Sequence, residues 1–256
     1  MVYEPTVTDL RPTMALLGSG EFEPWARDVY VQALRHHDHD HGTTLIVPTA
    51  IWQEGEEAFE AAGRERREYF ASMGLRTLVA PIRDHEDAFR AEIVRMTHGA
   101  SFIFFCGGHP EYLVEVLRDS PFWAAVLEAR ERGVVLGGCS AGTWMWGELV
   151  PDSSAEELAD HGFFPGLQVL PKVVLAPHWN SLDTFIPGLQ GHVLRHLPPD
   201  CALVGVDDRT AIVGDGETWL VLGEGAVLTV ADDHRSFFRA GETFTHPQSS
   251  GRVVIR

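Results

Sequence analysis

From Thr13 onward the chain alternates short β-branched or apolar runs with longer amphipathic stretches, a rhythm that leaves little room for anything but a parallel sheet covered by helices. Five runs read as strands: 13–17, 43–48, 76–81, 101–106 and 134–138. The stretches between them, near 24–37, 54–73, 86–98 and 110–132, read as helices, and the last is expected to break at Pro121. Within it Leu113, Val116 and Leu117 recur at helical spacing and would face the sheet.

After Gly142 the rhythm changes. A loop-like acidic segment at 151–166 leads into an apolar run at 167–177 and then a helical stretch at 182–197. From Cys201 the chain turns almost wholly to strand, in the runs ALVGV, TAIV, TWLVLG, AVLTVA and SFFRAGETF, separated by turns at Asp207-Asp208, Gly214-Asp215-Gly216, Gly223-Glu224-Gly225 and Asp232-Asp233. No Pro/Ser linker and no repeat divides it. The expected fold class is α/β, a doubly wound, mostly parallel sheet, with residues 1–256 as one domain and 201–256 as its β-rich C-terminal extension.

Composition limits the partners. At 45% hydrophobic content the chain can offset its conformational entropy, and a chain of this length buries roughly 70–75% of its unfolded surface. Lys and Arg number 20 against 37 Asp and Glu, a net charge of −17, which disfavours nucleic acid and anionic membrane surfaces alike. Three cysteines, Cys106, Cys139 and Cys201, are too few and too widely spaced for a disulfide framework and read as reduced thiols. The opening residues lack the basic and apolar regions of a signal peptide, and no run approaches a membrane span, so a cytoplasmic protein is expected.

The strongest local signal is Gly138-Cys139-Ser140-Ala141-Gly142, a G-x-S-x-G directly after an apolar strand and directly before a helix-compatible segment. A nucleophile elbow needs that context, because a sharp strand-to-helix turn must have small residues on both sides to push the serine hydroxyl into the open. Such a serine needs a base to take its proton and a third group to orient the base. Among 13 histidines, His178 stands out because it follows the apolar run VVLAP and would emerge at a strand end. The pair Asp207-Asp208 after the strand at 202–206 offers the acid, and either member could serve. Gly107-Gly108 after the strand at 101–106 would bring backbone N–H groups near the serine. Glu21 and Phe22, in the loop after the first strand, could face a substrate. Trp144 and Trp146 either line the pocket or pack the elbow helix.

These residues together resemble the serine peptidases typified by dipeptidase E (aspartyl dipeptidase) and cyanophycinase. The resemblance rests on 15–22 (ALLGSGEF), 105–108 (FCGG), the elbow at 138–142, His178-Trp179 and 204–211 (VGVDDRTA), and it covers most of the chain. It implies a flavodoxin-like, class I glutamine amidotransferase-like fold and a triad of Ser140 as nucleophile, His178 as general base and then acid, and Asp208 as the orienting acid. It also implies an oxyanion hole from the N–H groups of Gly108 and Ala141, and a metal-independent, cofactor-free peptidase acting on a small peptide. Glu21, His109, Trp179 and Arg209 are the expected substrate contacts. The family usually carries Glu where Asp208 stands, Asp or Asn where His109-Pro110 stands, and an Arg shortly after the histidine, where this chain has Trp179-Asn180-Ser181-Leu182-Asp183. Arg209 and Lys172 are the substitute cations, although a surface position is the simpler reading for both.

Three rivals share the motifs. An α/β-hydrolase esterase would place the acid before the histidine and continue with βα units. A glutamine amidotransferase would use a cysteine, and Cys139 lies one residue before the elbow apex. A non-catalytic protein could keep the fold and lose turnover. The run His36-His37-Asp38-His39-Asp40-His41 carries metal-binding residue types but is read as adventitious surface binding, since a built site needs closed geometry. The expected protein partner is a second copy of the chain, as a homodimer.

Overall fold

The computed structural model describes residues 10–36, 42–154, 158, 162–232 and 234–247. The five anticipated strands form within one or two residues of the sequence runs: β1 (Met14–Leu17), β2 (Thr43–Val47), β3 (Arg76–Val79), β4 (Ala100–Phe105) and β5 (Val135–Cys139). They lie parallel in the order β3-β2-β4-β5-β1. Counted from β2, the first four positions follow the 2-1-3-4 order of one common doubly wound sheet, and the chain's own first strand fills the fifth place.

Helices α1 (Ala26–Leu34) and α2 (Glu56–Ser72) cover one face of this sheet; α3 (Ala91–Val94), α4 (Pro110–Leu117) and α5 (Pro121–Glu131) lie on the other. Alternate residues of each strand therefore enter different cores. Met14 and Leu16 join the α4/α5 side, whereas Ala15 and Leu17 pack with Tyr30 and Phe70 under α1 and α2. Burial on both faces is why these strands read as unbroken apolar runs. The break at Pro121 occurs as expected, with Ser120 capping α5 by accepting from the Trp123 N–H.

Beyond β1 the sheet continues antiparallel through β10 (Thr210–Gly214), β11 (Thr218–Gly223) and β14 (Thr243–Thr245). A hairpin of β6 (Leu149–Pro151) and β7 (Phe163–Pro165) flanks residues expected to be loop, part of which lies outside the described residues. A second sheet has the order β13-β12-β9-β8, built from β8 (Val173–Ala176), β9 (Ala202–Val206), β12 (Ala226–Ala231) and β13 (His234–Arg239). The β-rich C-terminal third is thus divided between two sheets.

The turn expected at Asp207-Asp208 does form, but it joins no hairpin: β9 belongs to the second sheet and β10 to the first, so it carries the chain from one sheet to the other. Two helical expectations also change. The stretch 86–98 holds only α3 between two 3₁₀ turns, because the Asp87 carboxylate is drawn to the Arg83 N–H and Arg90 adopts an extended backbone. The stretch 182–197 divides into α7 (Leu182–Phe185) and α8 (Leu189–Arg195) at Pro187-Gly188, where Gly188 has φ +85°. The histidine-rich run, apart from His36, lies outside the described residues. Among the described residues no helix is long and apolar enough to cross a membrane.

Candidate active site

The elbow is assembled by close backbone contact. β5 ends at Cys139, Ser140 turns sharply, and α6 (Ala141–Trp144) begins at once. A Cβ on Gly138 would stand 2.0 Å from the Gly142 carbonyl oxygen, and one on Gly142 would stand 2.1 Å from the Phe105 carbonyl oxygen, so both positions exclude any side chain. Thr143 ties the turn to its neighbours by donating its hydroxyl to the carbonyls of Leu17 at 2.7 Å and Gly138 at 3.1 Å. The cost falls on Ser140, whose φ of 54° and ψ of −115° lie in a region that L-residues rarely adopt. Strain of this kind is worth about 1–3 kcal/mol and persists only where the surroundings enforce it.

β4 delivers the second component. Gly107 passes so close to Ser140 that a Cβ there would lie 3.6 Å from Ser140 Oγ, and Gly108 has φ +130° with its would-be Cβ against the Ala50 carbonyl. Gly108, Ser140 and Ala141 line one cavity of about 480 Å³, a size typical of ligand sites. Gly108 and Ala141, the two residues expected to supply oxyanion N–H groups, are thus beside the serine in one cavity wall.

His178 follows β8 in the left-handed conformation, φ 55° and ψ 28°, and lines the same cavity. Its Nδ1 lies 2.7 Å from Oδ1 of Asp208, and its ring packs edge-on against Phe185 at 5.3 Å. Burial alone would raise the Asp208 carboxyl, but hydrogen bonds from Ser181, Ser19 and His178 together hold it below the usual carboxylate value. The Asp208 N–H donates to the side-chain carbonyl of Asn180 at 2.8 Å, which fixes the turn. Asp207 points elsewhere: its Oδ2 accepts from the Ala226 N–H at 2.9 Å, and burial pushes its carboxyl up. The structure therefore brings His178 to Asp208 and not to Asp207. Among the described residues no hydrogen bond joins Ser140 Oγ to the imidazole; such contacts are often long before substrate binds.

Cys139, the rival nucleophile, is 1% exposed on the opposite face of β5 and donates its thiol to Glu21 at 3.1 Å. Burial first, and the neighbouring Glu21 carboxylate second, raise this thiol well above its ordinary value. Cys106 is pushed up to about 12 by burial. A thiol kept protonated in the core is a poor nucleophile.

None of the four expected substrate contacts lies in the cavity wall. His109 comes nearest, its Nδ1 2.8 Å from the hydroxyl of Ser153, a lining residue that donates to Glu111 at 2.8 Å. Glu21, Trp179 and Arg209 are engaged elsewhere. Glu21 is turned under the elbow, where it pairs with Arg66 at 3.2 Å and accepts from Cys139. The Trp179 ring is buried over Gly205, whose missing Cβ makes room for it. Arg209 is held by Glu23 at 2.7 Å and Glu224 at 3.1 Å. Lys172 donates its backbone N–H to Glu148.

Sequence reasoning missed the groups around Asp208, namely Ser19, Asn180 and Ser181, because short polar residues in loops carry no spacing signal. It also missed the apolar wall formed by Leu182, Phe185, Ile186, Leu189 and Val193. That wall had a signal, since the residues recur at helical intervals through 182–193.

An elbow serine, a glycine loop and a histidine in one cavity wall, with an aspartate hydrogen-bonded to that histidine, make up the kind of site that serine hydrolases carry on α/β sheets. The chain belongs to peptidase family S51, the family of dipeptidase E, whose model matches residues 14–222. Among solved structures it is similar to a peptidase from an acI-B1 Actinobacterium, with 28% identity, a TM-score of 0.82, and coverage of 92% of this chain and 97% of that one. A putative peptidase E protein from Listeria monocytogenes EGD-e shares the fold at 16% identity and a TM-score of 0.58, over 89% of this chain and 98% of that one. No curated protein sequence matches.

Proposed function

We propose that the protein is a serine peptidase or amidohydrolase that cleaves an amide bond in a small peptide or peptide-like molecule through an acyl-enzyme on Ser140. The observation that carries this reading is the junction of three chain segments in one cavity: the elbow serine, the Gly108 loop, and a His178 ring whose Nδ1 is 2.7 Å from Asp208. In the first step His178 Nε2 takes the hydroxyl proton while Ser140 Oγ bonds the carbonyl carbon. The N–H groups of Gly108 and Ala141 stabilise the oxyanion that forms. Collapse breaks the C–N bond, and His178 returns the proton to the leaving amine. Water then attacks the ester, activated by the same nitrogen, and the acid is released. Asp208 stays ionised throughout, fixing the imidazole tautomer.

The fold we read as the flavodoxin-like, class I glutamine amidotransferase type, with residues 1–256 acting as one hydrolytic unit; the 2-1-3-4 order of β3-β2-β4-β5 supports this. The β9–β10 crossing joins the two sheets at the acid itself. Three free, buried cysteines suit a reducing compartment such as the cytoplasm. The test is a dipeptide library digested in parallel with the unaltered protein and Ser140→Ala. Release of amino acids by the former alone is expected, and equal release by both, or none by either, contradicts the reading.

A further inference from the structure

The cavity beside Ser140 is walled mainly by apolar side chains. Its far wall is the shared face of α7 and α8, where Leu182, Ile186, Leu189 and Val193 are each less than a tenth exposed, and Trp144 lies behind the nucleophile. Phe185 also lines the cavity. It is 62% exposed, and its ring is the one that packs on His178. The polar side chains among the lining residues are Ser140, His178 and Ser153, and none of the lining residues is Lys or Arg.

Charge argues the same way. The cation nearest the acid turn in sequence, Arg209, is already held between two carboxylates, Glu23 and Glu224. The hydroxyl of the lining residue Ser153 donates to the carboxylate of Glu111, which adds negative charge at this wall. A substrate carboxylate entering this space would lose its hydration without gaining a counter-ion, which is strongly unfavourable. A large aliphatic or aromatic side chain would instead exchange water for the α7/α8 face.

We infer that this cavity is a subsite for a large apolar side chain adjoining the scissile carbonyl, so the preferred substrates carry Phe, Leu or a similar group there instead of Asp. The inference rests on the reading of Ser140 as nucleophile and adds the substrate class. One methylene in an apolar pocket is worth about 10–200-fold in discrimination. Phe or Leu should accordingly exceed Ala by at least about tenfold in kcat/KM, and Asp by more.

The experiment compares hydrolysis of Phe-Leu, Leu-Leu, Ala-Leu and Asp-Leu, and of the matching aminoacyl p-nitroanilides, and adds calorimetric titration of Ser140→Ala with Phe-Leu and Asp-Leu. Apolar preference in hydrolysis and in binding is the expected result. Phe185→Arg, at an exposed position that folding should tolerate, is expected to lower the Phe/Asp ratio of kcat/KM at least about tenfold, in line with the value of the lost apolar contact. Ser140-dependent hydrolysis with Asp preferred, or with no preference, overturns the apolar subsite and leaves the peptidase standing. Absence of any hydrolysis overturns the peptidase, and the titration then decides the subsite alone: tighter binding of Phe-Leu supports it, and equal or tighter binding of Asp-Leu refutes it.

Discussion

Oδ1 of Asp208 accepts from Nδ1 of His178 at 2.7 Å, while the carboxylate of Asp207, one residue earlier, accepts from the Ala226 N–H at 2.9 Å. Two adjacent aspartates thus do different work, because the turn between the two sheets points their side chains apart. Asp208→Asn replaces an acceptor with a group that can present the wrong face to the imidazole, and kcat should fall at least about 100-fold. Asp207→Asn keeps an acceptor for Ala226 and should change kcat less than about threefold, since hydrogen-bond swaps of this kind cost little away from the reacting atoms. Steady-state kinetics on the two variants with any cleaved dipeptide separates them.

The same pair should move stability with pH in opposite directions. A carboxyl held low in the fold, as Asp208 is, stabilises above about pH 4 and loses that contribution as pH falls through its folded value. A carboxyl held high, as Asp207 is, favours the fold when protonated and opposes it once ionised. Raising the pH from 3 to 6.5 should therefore turn the melting-temperature difference against Asp208→Asn and in favour of Asp207→Asn. Thermal melts across that range provide the check, and parallel curves for both variants would contradict it.

How much of this was legible in the sequence varies by element. The parallel strands and the elbow were, since each depends on local features: unbroken apolar runs, and glycines where a Cβ would meet a carbonyl at 2.0–2.1 Å. The choice of Asp208 over Asp207 came from the family resemblance and not from any local pattern, because it depends on a crossing between sheets that the residues around it do not encode. Glu21 and Arg209 looked available for substrate because a charge in a loop gives no sign of its partner; Arg66, Glu23 and Glu224 arrive from distant segments. The apolar wall was partly visible as helical spacing, but the break at Pro187-Gly188 is what angles two short helices around one space.

Strain at the elbow predicts a separation of stability from activity. Ser140→Gly removes both the hydroxyl and the Cβ that makes φ 54° costly, so turnover should vanish while the protein gains about 1 kcal/mol of stability. Ser140→Ala should abolish turnover without that gain. Chemical denaturation of both variants reads the difference.

Glycine positions supply a stringent packing test. Gly142→Ala drives a methyl into the Phe105 carbonyl and should destabilise by more than about 3 kcal/mol or prevent folding. Gly99→Ala meets nothing within 4 Å and has an ordinary backbone, so its melting temperature should stay within a degree or two of the unaltered protein.

The central claim is that Ser140, and not Cys139, is the nucleophile activated by His178. Incubation with a fluorophosphonate probe followed by peptide mass mapping tests it directly. One adduct on the peptide containing Ser140 is expected, absent in Ser140→Ala, strongly slowed in His178→Ala and retained in Cys139→Ala. No adduct on folded protein, or activity lost in Cys139→Ala and kept in Ser140→Ala, would contradict the account.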